Sequence, residues 1–313
     1  MCSVIHIISR QDMWSVHMEF VKMHGLGNDF IILDDTDNRQ KNGREGFETE
    51  KHCCEKSELS PELVRHFCDR HRGIGADGVI RVCNAGHPQA DFRMKLYNAD
   101  GSPARMCGNG IRCLGKYVYD HGKTEKVNLL IETDAGLYRL QLIKKEETDR
   151  ICSVRVDMGT PDFVPEHISA RCLLFRPVCV SMGNPHCVLF VESREAMMQF
   201  PLKQEGTIIG NEEIFPEGVN VEVVWVQDAG HLWMRVWERG CGETFACGTG
   251  ACAAVAAAMR QKKCGASVLV RMTGGELLVQ YDRRHGHLYL TGPAEEICHG
   301  KFDSSRTHVR LGA

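Results

Sequence analysis

Cys107 and Cys247 open matching four-residue phrases, Cys107-Gly108-Asn109-Gly110 and Cys247-Gly248-Thr249-Gly250, 140 residues apart (247 − 107). Each phrase leads into a run that reads as a helix, over residues 111–119 and 251–260. A cysteine at a helix mouth faces unsatisfied backbone N–H groups and the positive end of the helix dipole, both of which favour thiolate over thiol. Gly108 and Gly110 carry no Cβ, so a bound anion can approach the backbone closely. Asn109 and Thr249 add a side-chain donor or cap at each mouth. One such cysteine reads equally well as an inert cap or a nucleophile. Two in register suggest a pair of acid–base groups facing one site, where a bound carboxylate would feel both helix N-termini.

The surroundings repeat as well. Gly27-Asn28 answers Gly183-Asn184. Asn98 lies nine residues before Cys107 (107 − 98), and Glu238 nine before Cys247 (247 − 238). In each half a strand ends in a polar residue, a Gly-containing loop follows, and a cysteine starts a helix. That is the pattern of a duplicated α+β unit with its active site in the cleft between copies. Arg239 could hold a substrate carboxylate through its fork and Glu238 an ammonium, although a surface ion pair is the default for adjacent Glu and Arg. Asn28 suits a tight turn. His186, in Gly183-Asn184-Pro185-His186, reads as site-lining, with a satisfied structural histidine as the alternative. Neither Gly25-Leu26-Gly27 nor Gly73-Ile74-Gly75 is followed by the helix that a dinucleotide fingerprint requires, so no nucleotide cofactor is indicated.

The elements that must position these residues are mostly strands. Residues 92–97, 137–142 and 232–236 alternate apolar and polar, and 18–23, 79–82, 219–226 and 277–281 are further β-rich runs. Ser60-Pro61-Glu62 is a capped helix start with Leu63, Val64 and Phe67 on its apolar face. Residues 193–200 read as another short helix. Residues 34–59 are polar and charged and read as a long surface excursion. Residues 1–17 read as a detached extension.

The 313 residues suffice for two domains. With 43% hydrophobic and 25% charged residues and a net charge of −3, the composition gives no electrostatic case for binding nucleic acid or an anionic membrane. No apolar run approaches the roughly 18 residues of a membrane span, and residues 4–8 are too short for a signal-peptide core. A cytoplasmic location is expected. The 16 cysteines then read mainly as small buried hydrophobes in a reducing compartment, with a disulfide framework improbable. No C-x-x-C spacing occurs, so no metal site is expected.

Taken together, these residues resemble the diaminopimelate epimerase family from about Met18 to about Phe302. The resemblance rests on Lys22-Met23-His24-Gly25-Leu26-Gly27-Asn28-Asp29-Phe30, Asn98-Ala99-Asp100-Gly101-Ser102, the Cys107 phrase, Gly183-Asn184-Pro185-His186, Pro216-Glu217-Gly218-Val219-Asn220, Glu238-Arg239-Gly240-Cys241-Gly242-Glu243-Thr244 and the Cys247 phrase. It implies two pseudo-symmetric α/β domains, each a β-barrel-like sheet wrapped around a central helix, with the C-terminal segment returning to the first domain. The expected boundaries are 18–152 with 294–305 for one domain and 153–293 for the other.

The resemblance also implies cofactor-independent epimerisation of LL-diaminopimelate to the meso form by a two-base cysteine mechanism, with Cys107 facing the LL substrate. Asn28, Asn98, Asn184, Asn220, Glu238 and Arg239 are expected to hold the substrate. The backbones of Gly108-Asn109 and Gly248-Thr249 are expected to bind its carboxylate, and His186 to line the site. A racemase of another amino acid on the same scaffold is the nearest alternative; a one-thiol hydrolase using His186 and a thiol redox sensor are more distant ones. Gly78 stands where many relatives carry Gln, which bears on the distal end of the substrate, and Cys241 replaces a common Ala. A homodimer is the expected assembly, although nothing in the sequence specifies it.

Overall fold

The computed structural model describes residues 17–36, 58–163 and 177–303; residues 1–16 and most of the 34–59 excursion lie outside them. The first half runs β1 (His17–Gly25), β2 (Asn28–Asp34), α1 (Pro61–Cys68), β3 (Gly78–Asn84), β4 (Phe92–Asn98), β5 (Pro103–Ala104), α2 (Gly108–Asp120), β6 (Asn128–Thr133), β7 (Gly136–Lys144), β8 (Ile151–Asp157) and β9 (Asp162–Phe163). The second runs β10 (Val178–Ser181), β11 (Pro185–Val191), α3 (Arg194–Gln199), α4 (Leu202–Gly210), β12 (Asn220–Asp228), β13 (His231–Glu238), β14 (Gly242–Thr244), α5 (Gly248–Arg260), β15 (Ser267–Met272), β16 (Gly275–Tyr281), β17 (Leu288–Gly292) and β18 (Glu295–Asp303). The fold is mixed α and β, with few helices and an extensive sheet.

The two halves share one pairing scheme. β2 runs parallel to β3, and β11 parallel to β12. β4 pairs antiparallel with β5 and parallel with β6; β13 does the same with β14 and β15. β6–β7–β8 and β15–β16–β17 are matching antiparallel runs. The halves are joined where β8 pairs with β17 and β9 with β10. β18 runs back along β1 from His17↔Asp303 to His24↔Glu295.

Alternation explains the strands: β4 and β13 bury every second residue over most of their length, turning Phe92, Met94 and Leu96, or Leu232, Met234 and Val236, inward. Each half wraps its strands around one helix. α2 packs against β1, β2, β3, β7 and β8, and α5 against β10–β13 and β15–β17. Their sequences suit enclosure. α5 carries Ala at 251, 253, 254, 256, 257 and 258, all buried, so it is apolar all round and slender enough for strands to close on every side. On α2, a methyl at Gly115 would sit 2.8 Å from Leu140 Cδ2, so the missing side chain sets how near β7 can come. Ser60 caps α1 by accepting from Leu63 N. α4 carries no clear sequence signal: its apolar face is limited to Leu202, Gly206 and Ile209, and Gly206 is there because Trp237 occupies the space a Cβ would need.

Among the described cysteines, Cys83 is disulfide-bonded, one bridge in a chain whose cysteines read mainly as small buried hydrophobes. Among the described residues no helix is long and apolar enough to cross a membrane.

Candidate active site

Cys107 and Cys247 are the N-caps of α2 and α5, both with extended backbone (φ −140°, ψ 124° and φ −126°, ψ 116°). Each helix begins at the following glycine, three residues earlier than its apolar pattern suggests. The two mouths meet. A methyl on Gly108 would lie 3.5 Å from Gly248 Cα, and one on Gly248 would lie 3.5 Å from Gly108 Cα. Two glycines leave this seam free of side chains, and the approach brings two helix N-termini to one place.

An asparagine flanks each mouth, supplied from the start of the second strand of its half. Asn28, the first residue of β2, accepts at Oδ1 from Asn109 Nδ2 (3.2 Å) and lies 3.6 Å from Cys107 Sγ. Asn184, just before β11, donates to Thr249 Oγ1 (3.4 Å), which is 3.5 Å from Cys247 Sγ. Asn28 therefore follows the turn rather than forming it; Leu26 (φ 57°) and Gly27 (φ 86°) take the left-handed positions. Leu26 is held there because its side chain is buried against the Gly274-Gly275 turn of the other half. A cross-half bond from Asn109 Nδ2 to Ala246 O (3.1 Å) ties the first mouth to the residue preceding Cys247.

Burial changes the thiols. Desolvation raises the Cys107 pKa above its ordinary value and the Glu238 carboxylate adds to this, against the amides of Gly110 and Asn109 and the Arg112 charge. Cys247 is raised further: burial acts first, then the carboxylates of Glu238 and Glu222, while Thr249 and the Gly250 amide pull it down. The sequence-based expectation of thiolates favoured by the helix mouths therefore holds for the amide contacts but is outweighed in the free protein by desolvation.

The remaining residues expected in the site divide. Glu238 accepts from the Thr244 hydroxyl and lies beside the Cys247 thiol, and burial raises its carboxyl above the usual range. Asn220 is buried, donates to Pro185 O (3.1 Å) and accepts from Arg239 N (2.9 Å), which fixes the β13 end. The Arg239 guanidinium is half-exposed and donates to Glu217 O (2.8 Å). Asn98 is exposed at the end of β4 and bonded to Ser102. His186 is fully buried with both ring nitrogens engaged, by Glu222 Oε1 (2.6 Å) and Asn184 Oδ1 (3.1 Å), so it is not a free base for either thiol. At Gly78, a Cβ would fall 2.5 Å from Tyr97 O, so a larger residue there requires the β3–β4 backbone to shift.

Three charged groups of the site carried no sequence signal. Glu222 is fully buried behind Cys247, with Oε2 lacking a hydrogen-bond partner among the described residues. Arg112 is fully buried on α2. Asp29 anchors Asn28 from behind. It takes a bidentate bond from Arg70 (2.8 and 3.1 Å) and an ion pair from Lys22 (3.1 Å). Asp77 closes the set by accepting from Arg70 (2.8 Å) and from Asn28 Nδ2 (2.9 Å). Burial opposes ionisation of Asp29, but the Arg70 and Lys22 bonds outweigh it and lower its pKa.

A depressed carboxylate contributes stability that is complete above its ordinary pKa, about 4, and is lost as pH falls through the folded value. Asp29→Asn is accordingly expected to cost about 2 kcal/mol at neutral pH, with the gap to wild type closing below about pH 4. Urea unfolding at several pH values measures this; a gap that widens in acid would contradict the assignment.

Among the described residues, no group of three or more His, Cys, Asp or Glu side chains is placed to hold a metal ion. The family model for diaminopimelate epimerase matches residues 20–164 and 178–297. The chain is 42% identical over 299 residues to a diaminopimelate epimerase of Moorella thermoacetica, covering 91% of this chain and 99% of that one. It is 39% identical over 300 residues to one of Methanococcus maripaludis, covering 91% and 100%. A probable proline racemase from Agrobacterium radiobacter shares the fold, with a TM-score of 0.66 at 17% identity over 90% of this chain and 92% of that one.

Proposed function

The chain belongs to the diaminopimelate epimerase family, and on that premise we propose that it interconverts LL- and meso-diaminopimelate with Cys107 and Cys247 as its two acid–base groups and no cofactor. One observation carries the reading: two cysteine-capped helices meet mouth to mouth at Gly108 and Gly248. A carboxylate seated there receives N–H groups from both helices, and its α-carbon then lies between the two caps.

The chemistry follows from that placement. One cysteine, as thiolate, takes the α-proton, so the C–H bond breaks and an S–H bond forms. The other, as thiol, delivers its proton to the opposite face. Charge developing on the carboxylate between these steps is stabilised by N–H groups and helix dipoles that are already oriented. Proton transfer by placed groups typically contributes ~10²–10⁴-fold. The Asn28–Asn109 and Asn184–Thr249 bonds hold the two mouths alike, which suits a reaction whose forward and reverse directions use the same groups in exchanged roles. The half-exposed Arg239 and exposed Asn98 are assigned to the distal end of the substrate, and Cys241 to the loop beside it.

The test is deuterium incorporation at the α-carbon of LL-diaminopimelate in D₂O under reducing conditions, with lysine and histidine as controls. Exchange accompanied by inversion in diaminopimelate alone is expected; exchange into a control amino acid without diaminopimelate would overturn the substrate. The pH profile is a separate expectation. Both thiols are raised, so few molecules hold the required thiolate at neutral pH. The kcat/KM value should climb with pH and fall only when the second thiol ionises, with both limbs displaced to the alkaline side of an exposed cysteine at about 8.5. A profile already flat from pH 6 would contradict it.

A further inference from the structure

Arg112 is among the largest fully buried side chains of the protein, and among the described residues no carboxylate pairs with it. Its three bonds go to neutral acceptors: Nη1 to Gly108 O (3.0 Å), Nη2 to Asn109 Oδ1 (2.9 Å) and Nε to Pro293 O (3.2 Å). Glycines make its room. A Cβ at Gly25 would lie 3.0 Å from Nη2, one at Gly292 3.2 Å from Nε, and one at Gly248 3.9 Å from Nη1. These glycines come from β1, β17 and the mouth of α5, so the guanidinium sits where the two halves join, one turn below the mouth of α2.

An isolated buried cation is costly unless it is hydrogen-bonded and balanced. Here the bonds are made and the balancing charge is missing from the chain's own described side chains. We propose that Arg112 is a positioning residue of the epimerase site: it fixes Asn109 so that the mouths of α2 and α5 stay in register, and its charge is balanced by the substrate carboxylate when that arrives.

The positioning follows through one side chain. With Arg112 holding Asn109 Oδ1, the Asn109 Nδ2 group is turned toward Asn28 Oδ1 and Ala246 O. Asn28 borders Cys107, and Ala246 precedes Cys247, so both candidate acid–base groups depend on one amide orientation. The guanidinium fork is the part that does this, since a lysine ammonium has no planar pair of donors to hold Gly108 O and Asn109 Oδ1 together. The charge acts separately, as a fixed positive group near Cys107 and the carboxylate position.

This inference rests on the two-cysteine reading above, and two variants separate fork from charge. Arg112→Lys keeps the charge and loses the fork. It is expected to lower kcat by about 10²-fold, the size of a small misplacement of reacting groups, while the iodoacetamide rate at Cys107, followed on its peptide by mass spectrometry, stays within about threefold of wild type. Arg112→Met loses both. It is expected to lower kcat at least as far, raise KM about tenfold or more, and slow Cys107 alkylation at pH 8 about tenfold, the change for one unit of thiol pKa. If Arg112→Met does not fold, Arg112→Lys carries the test, assayed well below its thermal midpoint. A kcat within threefold of wild type there, or a reduced thermal midpoint with kcat unchanged, would overturn the proposal. The alkylation arm needs no substrate, so wild type that fails to epimerise diaminopimelate defeats the earlier reading and leaves this measurement distinct.

Discussion

Replacing either Cys107 or Cys247 with serine is expected to lower LL-to-meso turnover by about 10³-fold or more, with the fold retained. Serine keeps the size and the cap position but ionises far less readily, so the thiolate and thiol roles cannot both be filled. The loss should not be symmetric in every assay. A variant that keeps Cys107 retains a base for one stereoisomer only, and should wash solvent deuterium slowly into that isomer without inverting it. A variant that keeps Cys247 should do so for the other. NMR of the α-position with each pure isomer reads both outcomes. Turnover within tenfold of wild type in either single variant would sink the two-base assignment and favour chemistry carried by one thiol.

Gly248→Ala is the second large effect. Its added methyl would lie 2.9 Å from Leu290 Cδ2 and in contact, at 3.5 Å, with Gly108 Cα, so the Leu290 side chain must shift and the seam between the two mouths is filled. Misplacement on this scale at a two-helix site is expected to lower kcat/KM by about 10²-fold, against a stability cost of about 1–3 kcal/mol for overpacking. Gly108→Ala offers a graded comparison. Its methyl meets nothing nearer than 3.5 Å, so a smaller loss is expected. Steady-state kinetics and thermal unfolding of both variants decide it: a Gly108→Ala enzyme more impaired than Gly248→Ala would mean that the closeness of the mouths is not what limits the reaction.

Legibility differed from residue to residue. The strands at 92–97, 137–142 and 232–236 and the capped helix at Ser60 follow from alternation and capping chemistry, which depend on neighbours in the chain. The duplication was visible because matching phrases recur at matching offsets, and the pairing scheme repeats accordingly. Asn109 and Thr249, Asn28 and Asn184 were legible for the same reason. Arg112 was not. Within residues 111–119 it looks like the polar face of an amphipathic helix, yet α2 is enclosed on every side and the arginine is fully buried. Glu222 sits in an apolar strand, where alternation gives no hint that its neighbour is a buried histidine 36 residues away.

The sequence by itself determined the inventory of this protein: two helix-mouth cysteines, their glycines, their flanking asparagines, and the halves that carry them. Local backbone chemistry and spacing suffice for that. The tertiary structure decided what the inventory becomes. It brought Gly108 to Gly248, fastened Asn109 across 137 residues to Ala246 O, and set Arg112 beneath the junction. It also raised both thiols, chiefly through desolvation, with Cys247 buried and Cys107 partly so. Dielectric surroundings and contacts between distant segments have no local signature, so they exist only once the chain has folded.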